Sequence, residues 1–265
     1  MSTDARWLAT MPEVYDRCLG PALFAPFAAH VAAEAAALAP RRVLELAAGT
    51  GILTAELVAA LPTADITATD VNPAMMAVGQ ARAPGPTWRQ ADAQQLDLPD
   101  NSFDLVACQF GLMFFPDKPA AFAETARVLA PGGSLLYTVW DAAETSDFAG
   151  AMVQSLRAVL PEDPPEFIVR GPHGYHDPDQ LAADLRAGGV VDGRVEPLVL
   201  RGATASAQVI TEGFCLGTPL RFELAERGPL DELTGRLQQE MVSRLGSGPV
   251  TGDLGALLVT GRAPS

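Results

Sequence analysis

Apolar positions early in the chain fall at helical spacing: residues 21–38 form an alanine-rich run that predicts a helix, preceded by a short one over 14–19. From residue 42 to 140 the pattern changes to an alternation of strand-like and helix-like segments. Val43-Leu44-Glu45-Leu46 is a short apolar run closed by small residues, and Leu53, Leu57, Val58 and Leu61 follow at helical spacing. Residues 65–70 are rich in β-formers and lead into Pro73 and a predicted helix over 74–81. A weaker strand over 87–91, a polar loop and a strand over 103–108 come next. The following helix sets Phe122, Ala126 and Leu129 on one face, and Ala130-Pro131-Gly132-Gly133 reads as its stop signal. Residues 134–140 read as a fully buried strand, with Leu105, Val106, Leu135 and Leu136 as core.

Beyond this stretch the pattern predicts a helix near 148–160 and a Pro/Gly-rich loop over 161–172. Asp177-Pro178-Asp179-Gln180 combines an N-cap, a first-turn proline and a glutamine three residues after the cap, so a helix starts there and stops at Gly188-Gly189. Residues 195–200 and 254–260 look like two last strands. Helices lie between them, the clearest carrying Leu230, Leu233, Leu237 and Met241 on one face. Strands alternating with helices predict an α/β fold: a doubly wound, mostly parallel seven-stranded sheet with helices on both faces. In such sheets ligands bind beyond the carboxyl ends of the strands. No internal repeat is present.

Composition narrows the function. The 265 residues include 18 Lys+Arg against 32 Asp+Glu, a formal net charge of −14, which argues against nucleic-acid partners and against a basic membrane-surface protein. Hydrophobic residues at 48 % and charged residues at 19 % place the chain among globular proteins, of one domain with an appendage or, alternatively, of two small domains. The first six residues lack the basic and apolar segments of a secretory signal. Residues 21–40 are interrupted by Pro26, His30 and Glu34, which reads as too broken to span a bilayer. Cys18, Cys108 and Cys215 are far apart, which suits reduced thiols and a cytoplasmic location better than disulfides or a zinc site. No persuasive His/Asp ligand spacing appears, so no metal is expected.

The informative segment is Glu45-Leu46-Ala47-Ala48-Gly49-Thr50-Gly51, where the first strand turns into a helix. Gly49 and Gly51 permit a tight turn of positive φ and close approach of a ligand to the backbone, with a helix amino terminus facing it. Asp70 follows Gly49 by 21 residues, at the end of the second strand, where a carboxylate can accept both hydroxyls of an adenosine ribose. A nicotinamide or flavin dinucleotide site is the competing reading, but the third small position of G-x-G-x-x-G is Thr54 here. No Lys or Arg lies between Val43 and Asp70, whereas Glu45 sits inside the turn, so the region offers no cation for a pyrophosphate. A ligand with an adenosine, a sulfonium and an ammonium suits it better.

The chain here resembles the class I S-adenosylmethionine-dependent methyltransferases, especially the branch of the quinone-biosynthesis C-methyltransferases and natural-product enzymes. The resemblance covers residues 43–140. It rests on five ordered matches: Glu45 to Gly51, Thr69-Asp70-Val71-Asn72, Ala91-Asp92-Ala93, Phe103-Asp104-Leu105-Val106, and Arg127-Val128-Leu129-Ala130-Pro131-Gly132-Gly133. Ala47 stands where the family pattern E-x-G-x-G-x-G has its first glycine. The resemblance implies a Rossmann-like single methyltransferase domain: a helical lid over 1–40, a cofactor-binding core over 41–142, a helical cap and acceptor region over 143–190, and the last strands with a helical insertion over 191–265. It also implies that S-adenosylmethionine is bound and released as S-adenosylhomocysteine. Glu45, Ala47, Gly49 and Gly51 would form the cofactor turn, Asp70 would hold the ribose hydroxyls, and Val71 and Met75 would line the adenine. Asp92 would accept from the adenine amine, the Ala93 backbone would meet a ring nitrogen, and Gln109 and Phe110 would lie near the methionine portion. Alone, Asp92 reads as a solvated loop carboxylate; the glycine turn and Asp70 favour the ligand role.

Methyl transfer from a sulfonium is a direct displacement, so the protein's part is alignment, with a base helping where the acceptor is a hydroxyl or an acidic carbon. His30 reads as a surface or helix-packing residue. His173 and His176 precede the sixth-strand region and are the candidate bases, although His176 equally serves to support the cap at Asp177. Tyr15 resembles a lid tyrosine, with ring packing as the plainer reading. Met113, Phe114 and Phe115, then Trp140 and Phe148, form an apolar and aromatic set that suits a small acceptor pocket. The expected reaction is methyl transfer to an O, C or N atom of a small, mostly apolar metabolite. The expected partners are that metabolite alone, with no nucleic acid or membrane and with room for a homodimer. The alternatives are an NAD(P)-dependent oxidoreductase on a similar fold and a non-catalytic S-adenosylmethionine-binding protein.

Overall fold

A computed structural model describes residues 11–265; the reading of the first six residues as free of a secretory signal lies outside the described residues. The chain forms two compact units. One comprises the chain up to Pro26 together with Ala142–Gly174 and Val199–Gly255, and the other comprises Phe27–Asp141, Tyr175–Leu198 and Ala256–Ser265.

The second unit is built on β1 (Arg42–Leu46), β2 (Asp65–Asp70), β3 (Thr87–Gln90), β4 (Phe103–Gln109) and β5 (Leu129–Trp140), which pair in parallel. The full sheet has seven strands in the order β3-β2-β1-β4-β5-β7-β6, where β6 is Val191–Thr204 and β7 is Val250–Arg262. β7 runs antiparallel to β5, with Trp140 opposite Ala256 and Ser134 opposite Arg262. The sheet is therefore mostly parallel, as the alternating pattern predicts. Strand order reverses between β1 and β4: the chain leaves β1 toward β2 on one side and returns to β4 on the other. In open α/β sheets such a reversal marks the strand ends where ligands bind.

Burial explains why β1 is a strand although it carries a glutamate. All four residues from Val43 to Leu46 are buried, as expected for a central parallel strand covered on both faces. One face packs Val43, Leu105, Ala107 and Leu136 against Leu53 and Leu57 of α2 (Ile52–Ala60) and against Ala28, Val31, Ala32 and Ala35 of α1 (Ala25–Leu38). Each fully buried leucine there stabilises the fold by roughly 1.5–3 kcal/mol. The remaining helices of this unit are α3 (Pro73–Arg82), α4 (Lys118–Val128) and α6 (Pro178–Ala187). Asn72, Asp117 and Asp177 cap these three with their side chains, each followed by a proline in the first turn.

Several boundaries differ from the sequence expectation. Residues 11–38 form one uninterrupted helix, π-helical over Tyr15–Phe24, instead of two helices separated at Pro21. The wider π turn, with Ala25 N–H bonded back to the Gly20 carbonyl, accommodates a proline that an α-helical turn would not. This helix is long and apolar enough to cross a bilayer, with a mean hydropathy of 1.3, so Pro26, His30 and Glu34 do not break it up as expected. Its apolar residues Phe27, Ala28, Val31, Ala32 and Ala35 are buried within the protein. Leu129 belongs to β5 and not to the preceding helix. The Pro131-Gly132-Gly133 stretch, with Gly132 at φ +71°, lies within that strand, where the pairing register shifts between Phe103 and Leu105.

The first unit packs the π-helical stretch and the helices α5 (Asp147–Val159), α7 (Ala207–Gly217), α8 (Leu220–Arg227) and α9 (Leu230–Leu245). One helical turn, Phe167–Arg170, interrupts the loop expected over 161–172. Leu233, Leu237 and Met241 of α9 are buried, as their spacing predicts. Contact between α7 and the π-helical stretch is close enough to demand glycine: a Cβ at Gly217 would stand 2.7 Å from the Tyr15 nitrogen. Arg17 also pairs with Glu212 across this contact at 2.8 Å. Because backbone cannot yield as a flexible side chain does, Gly217→Ala is expected to destabilise the protein by about 1–3 kcal/mol. Urea unfolding should show a lower midpoint at unchanged slope; an unchanged midpoint would refute this packing.

Candidate active site

The connection from β1 to α2 is held in an unusual backbone conformation. Ala47, Gly49 and Gly51 all have positive φ, at +52°, +56° and +76°. Glycine adopts this region freely, whereas an alanine there costs roughly 1–2 kcal/mol. Ala47 thus occupies the left-handed conformation for which the family pattern has a glycine. Hydrogen bonds fix the bend: Ala48 N–H donates to the Thr69 carbonyl at 2.9 Å, and the Thr69 hydroxyl donates to the Glu45 carbonyl at 2.9 Å.

Asp70 joins this bend to the end of β2. Its Oδ2 accepts the Gly49 N–H and its Oδ1 accepts the Asn72 N–H, both at 2.8 Å. Each oxygen retains capacity for a further bond, enough for a pair of hydroxyls. Burial pushes the Asp70 carboxyl up from its ordinary value, against the pull of its backbone N–H partners at Asn72 and Gly49. Glu45, at the end of β1, is fully buried, and its Oε2 has no hydrogen-bond partner. Desolvation pushes the Glu45 carboxyl up to about 8, moderated by the nearby Thr54 hydroxyl and reinforced by the negative charge of Asp70.

Two features of this bend escape the sequence motif. Close packing at its far end is supplied from α3: a Cβ at Gly51 would stand 2.9 Å from Gly79 Cα, and one at Gly79 would meet Trp88 at 2.3 Å. Trp88 is itself anchored by its indole N–H on the Ala83 carbonyl at 2.9 Å. Arg82 donates to the Thr50 carbonyl at 2.9 Å, so the fold brings a cation to a segment that contains none in sequence. That guanidinium stitches α3 to the bend. A glycine 28 residues after Gly51 carries no local signal for this role.

The other residues expected on the cofactor side gather at neighbouring strand ends. Val71 is 59 % exposed, and Met75 lies by the bend, its Cε 3.6 Å from where a Cβ on Gly49 would be. Ala91 N–H donates to the Asp70 carbonyl at 3.1 Å, which brings the loop after β3 beside Asp70. In that loop Asp92 is exposed, Ala93 is buried, and Asp92 Oδ1 accepts from the Gln94 backbone at 2.9 Å. On the opposite side, Gln109 ends β4 and Phe110 follows at φ +56°, its N–H donating to the Thr138 carbonyl at 2.9 Å. The Phe110 ring stacks on Trp140 with centroids 3.7 Å apart and planes 3° apart, and Phe27, which sequence reasoning missed, meets both edge-on. Met113 is buried and Phe114 is 53 % exposed in the turn that follows. A Cβ on Gly111 would lie 2.4 Å from the Ala47 Cβ, so the connections after β1 and β4 touch.

Three expected residues belong to the other unit. Tyr15 stacks on Phe24 with centroids 4.9 Å apart, Phe148 is fully buried, and His173 is buried with its backbone N–H on the Ile168 carbonyl at 3.1 Å. His176, in the sheet-bearing unit, is exposed and directly precedes the Asp177 cap. Beside it, Tyr175 donates to Asp184 at 2.6 Å, and Lys118, the only lysine, lies 4.7 Å above the Tyr175 ring. Among the described residues no group of three or more His, Cys, Asp or Glu side chains could hold a metal.

This arrangement can receive an adenosine with a cationic tail: an ordered carboxylate for a ribose, a left-handed bend open to close approach, and a buried carboxyl with one oxygen unpartnered. Comparison with known proteins agrees. A family model described as a methyltransferase domain matches residues 44–137. The chain is 34 % identical to the demethylmenaquinone methyltransferase of Deinococcus radiodurans over 173 residues, covering 60 % of this chain and 71 % of that one. It is 41 % identical over 103 residues to the ubiquinone/menaquinone biosynthesis C-methyltransferase UbiE of Psychromonas ingrahamii, covering 36 % of this chain and 41 % of that one. Among solved structures, Haemonchus contortus phosphoethanolamine N-methyltransferase 2, in complex with phosphomonomethylethanolamine and S-adenosylhomocysteine, superposes with a TM-score of 0.52 at 16 % identity, covering 85 % of this chain and 49 % of that one. None of these supports the oxidoreductase or non-catalytic alternatives. By its sequence relatives and the order of its motifs, the chain belongs to the class I S-adenosylmethionine-dependent methyltransferases, in the branch of the quinone-biosynthesis C-methyltransferases.

Proposed function

We propose that this methyltransferase acts, as a cytosolic enzyme without nucleic-acid or membrane partners, on a small, mostly apolar acceptor at an O, C or N atom. A quinol of the kind named by its relatives is the first acceptor to try. The observation that carries the cofactor assignment is the buried Glu45 carboxylate, whose Oε2 lacks a partner one strand away from Asp70. An ammonium group pairs with that carboxylate and favours its charged form, whereas a pyrophosphate would meet the Asp70 charge and gain nothing from Glu45.

Bound S-adenosylmethionine supplies a methyl carbon on a sulfonium, a leaving group that departs as a neutral thioether. Asp70 holds the ribose hydroxyls with the lone pairs its backbone bonds leave over. Glu45 faces the ammonium, and the backbone of Ala47, Gly49 and Gly51 admits the ligand closely. Val71 and Met75 pack on the adenine, Asp92 accepts from its amine, and the Ala93 N–H meets a ring nitrogen. Gln109 and Phe110 border the methionyl portion. Met113, Phe114 and Trp140 exclude water from the acceptor, and orientation of the acceptor is the protein's main contribution to rate. Tyr15, His173 and His176 are assigned to acceptor handling on the family resemblance, with a histidine taking the acceptor's proton where one is released.

Titration with S-adenosylhomocysteine and with NADH tests the cofactor reading. The sulfur ligand is expected to bind, and Asp70→Asn to weaken it by at least about tenfold, since one acceptor becomes a donor. Tight NADH binding without response to the sulfur ligand would reject the assignment. Methyl incorporation from labelled cofactor into demethylmenaquinol tests the acceptor. His173→Ala and His176→Ala are expected to lower the rate and shift its pH profile at preserved cofactor affinity; an unchanged profile in both removes them as bases.

Glu45 predicts a pH effect of definite sign. Its folded value of about 8 lies above the ordinary 4.5, so the free protein's stability falls as pH rises from about 4.5 to 8, where the unfolded chain has lost the proton and the folded one must lose it. Pairing with an ammonium favours the charged form, so cofactor binding near pH 7 is expected to release a proton, and affinity to rise toward pH 8. Calorimetry in buffers of different ionisation enthalpy measures that release. Glu45→Gln should abolish it, and equal proton release in that variant would show that Glu45 is not the group involved.

A further inference from the structure

Gln94 lies two residues after Asp92 in the loop from β3 to β4, and both ends of its side-chain amide are engaged. Nε2 donates to Asp92 Oδ1 at 3.0 Å, the same oxygen that accepts the Gln94 backbone N–H at 2.9 Å. Oε1 accepts the Asp117 backbone N–H at 2.7 Å. These contacts fix which way the amide points. Reversed, its oxygen would face the carboxylate and its NH2 would face the Asp117 N–H, turning two attractions into two repulsions. Asp117 is itself anchored as the cap of α4, its Oδ1 accepting the Ala120 N–H at 2.9 Å. The side chain of Gln94 is thus a strut from a helix cap to the Asp92 carboxylate. Both of its donors land on Oδ1, and Oδ2 stays outside these bonds.

We propose that Gln94 is a positioning residue that determines cofactor specificity: it holds the Asp92 carboxylate so that Oδ2 meets the exocyclic amine of adenine, selecting a 6-amino purine over a 6-oxo purine. The inference rests on the assignment of Asp92 to the adenine amine made above. A carboxylate only accepts, so it attracts the amine of adenine and repels the carbonyl that replaces it in hypoxanthine. Discrimination of that kind needs a fixed carboxylate. A freely rotating one would turn its oxygens to solvent and read neither ligand.

Binding of S-adenosylhomocysteine and of its inosyl counterpart to the full chain, measured by calorimetry with thermal midpoints recorded in parallel, tests this. Gln94→Glu keeps an acceptor for the Asp117 N–H but sets a carboxylate oxygen against Asp92. It is expected to lower affinity for the adenosyl ligand by about tenfold and to leave the inosyl ligand nearly unchanged, so that the preference collapses. Gln94→Ala should fall between this variant and the wild type. Asp92→Asn is the control for the underlying assignment and should lose the preference as well. If Asp92→Asn loses it while both Gln94 variants retain it, the positioning role is refuted and the adenine assignment stands. If Asp92→Asn retains the preference, the adenine assignment fails and the role of Gln94 fails with it. An equal loss for both ligands together with a lowered thermal midpoint would mark Gln94 as merely structural and overturn the proposal.

Discussion

The carboxylate of Asp70 is the joint on which the bend after β1 depends. It ties the bend after β1 to the loop after β2 by accepting one backbone N–H from each, at Gly49 and Asn72. A carboxylate can do this and still offer lone pairs; an amide in its place would present a donor to one of those N–H groups. The left-handed residues at 47, 49 and 51 are tolerated because this clamp and the Thr69 bonds determine the bend from several directions at once. Electrostatics follow from the same geometry. Gathering Asp70 near the buried Glu45 raises the cost of negative charge there and makes a cationic ligand the favourable partner.

Topology decides what lies opposite. Because strand order reverses between β1 and β4, the segment after β4 lies beside the bend and touches it where Gly111 meets the Ala47 methyl group. The Phe110 backbone is left-handed, an unusual state for an aromatic residue, and it is held by stacking on Trp140, by Phe27 and by the bond to the Thr138 carbonyl. The strand ends at β1 and β2 are thereby carboxylate-rich, and the segment after β4 is aromatic.

Helix α4 supports the loop that carries Asp92. Arg127 donates to the carbonyls of Leu96 and Leu98 and pairs with Glu124 and Asp100, and Glu124 accepts the Leu96 N–H at 2.6 Å. The bond to Glu124, with help from Asp100, holds the Arg127 guanidinium firmly charged. With the strut at Gln94, these bonds anchor the irregular loop at several points. An exposed loop without regular structure needs such anchors if it is to hold a ligand in one orientation.

Sequence alone determined the elements and their order, because the apolar period changes between strand and helix wherever a connection begins, and caps such as Asn72, Asp117 and Asp177 carry local signatures. It also placed Glu45, the glycines and Asp70 at one bend, since they lie within a single strand-turn-helix-strand unit. It could not foresee that Pro21 would lie within an unbroken helix, in a π-helical stretch packed closely on α7 at Gly213 and Gly217. Nor could it find Gly79, Trp88 and Arg82 behind the bend, Phe27 beside the Phe110–Trp140 stack, or Gln94 between Asp92 and Asp117. Those contacts join residues on different elements, and distance in space between elements is set by packing, which no local pattern of polar and apolar residues encodes.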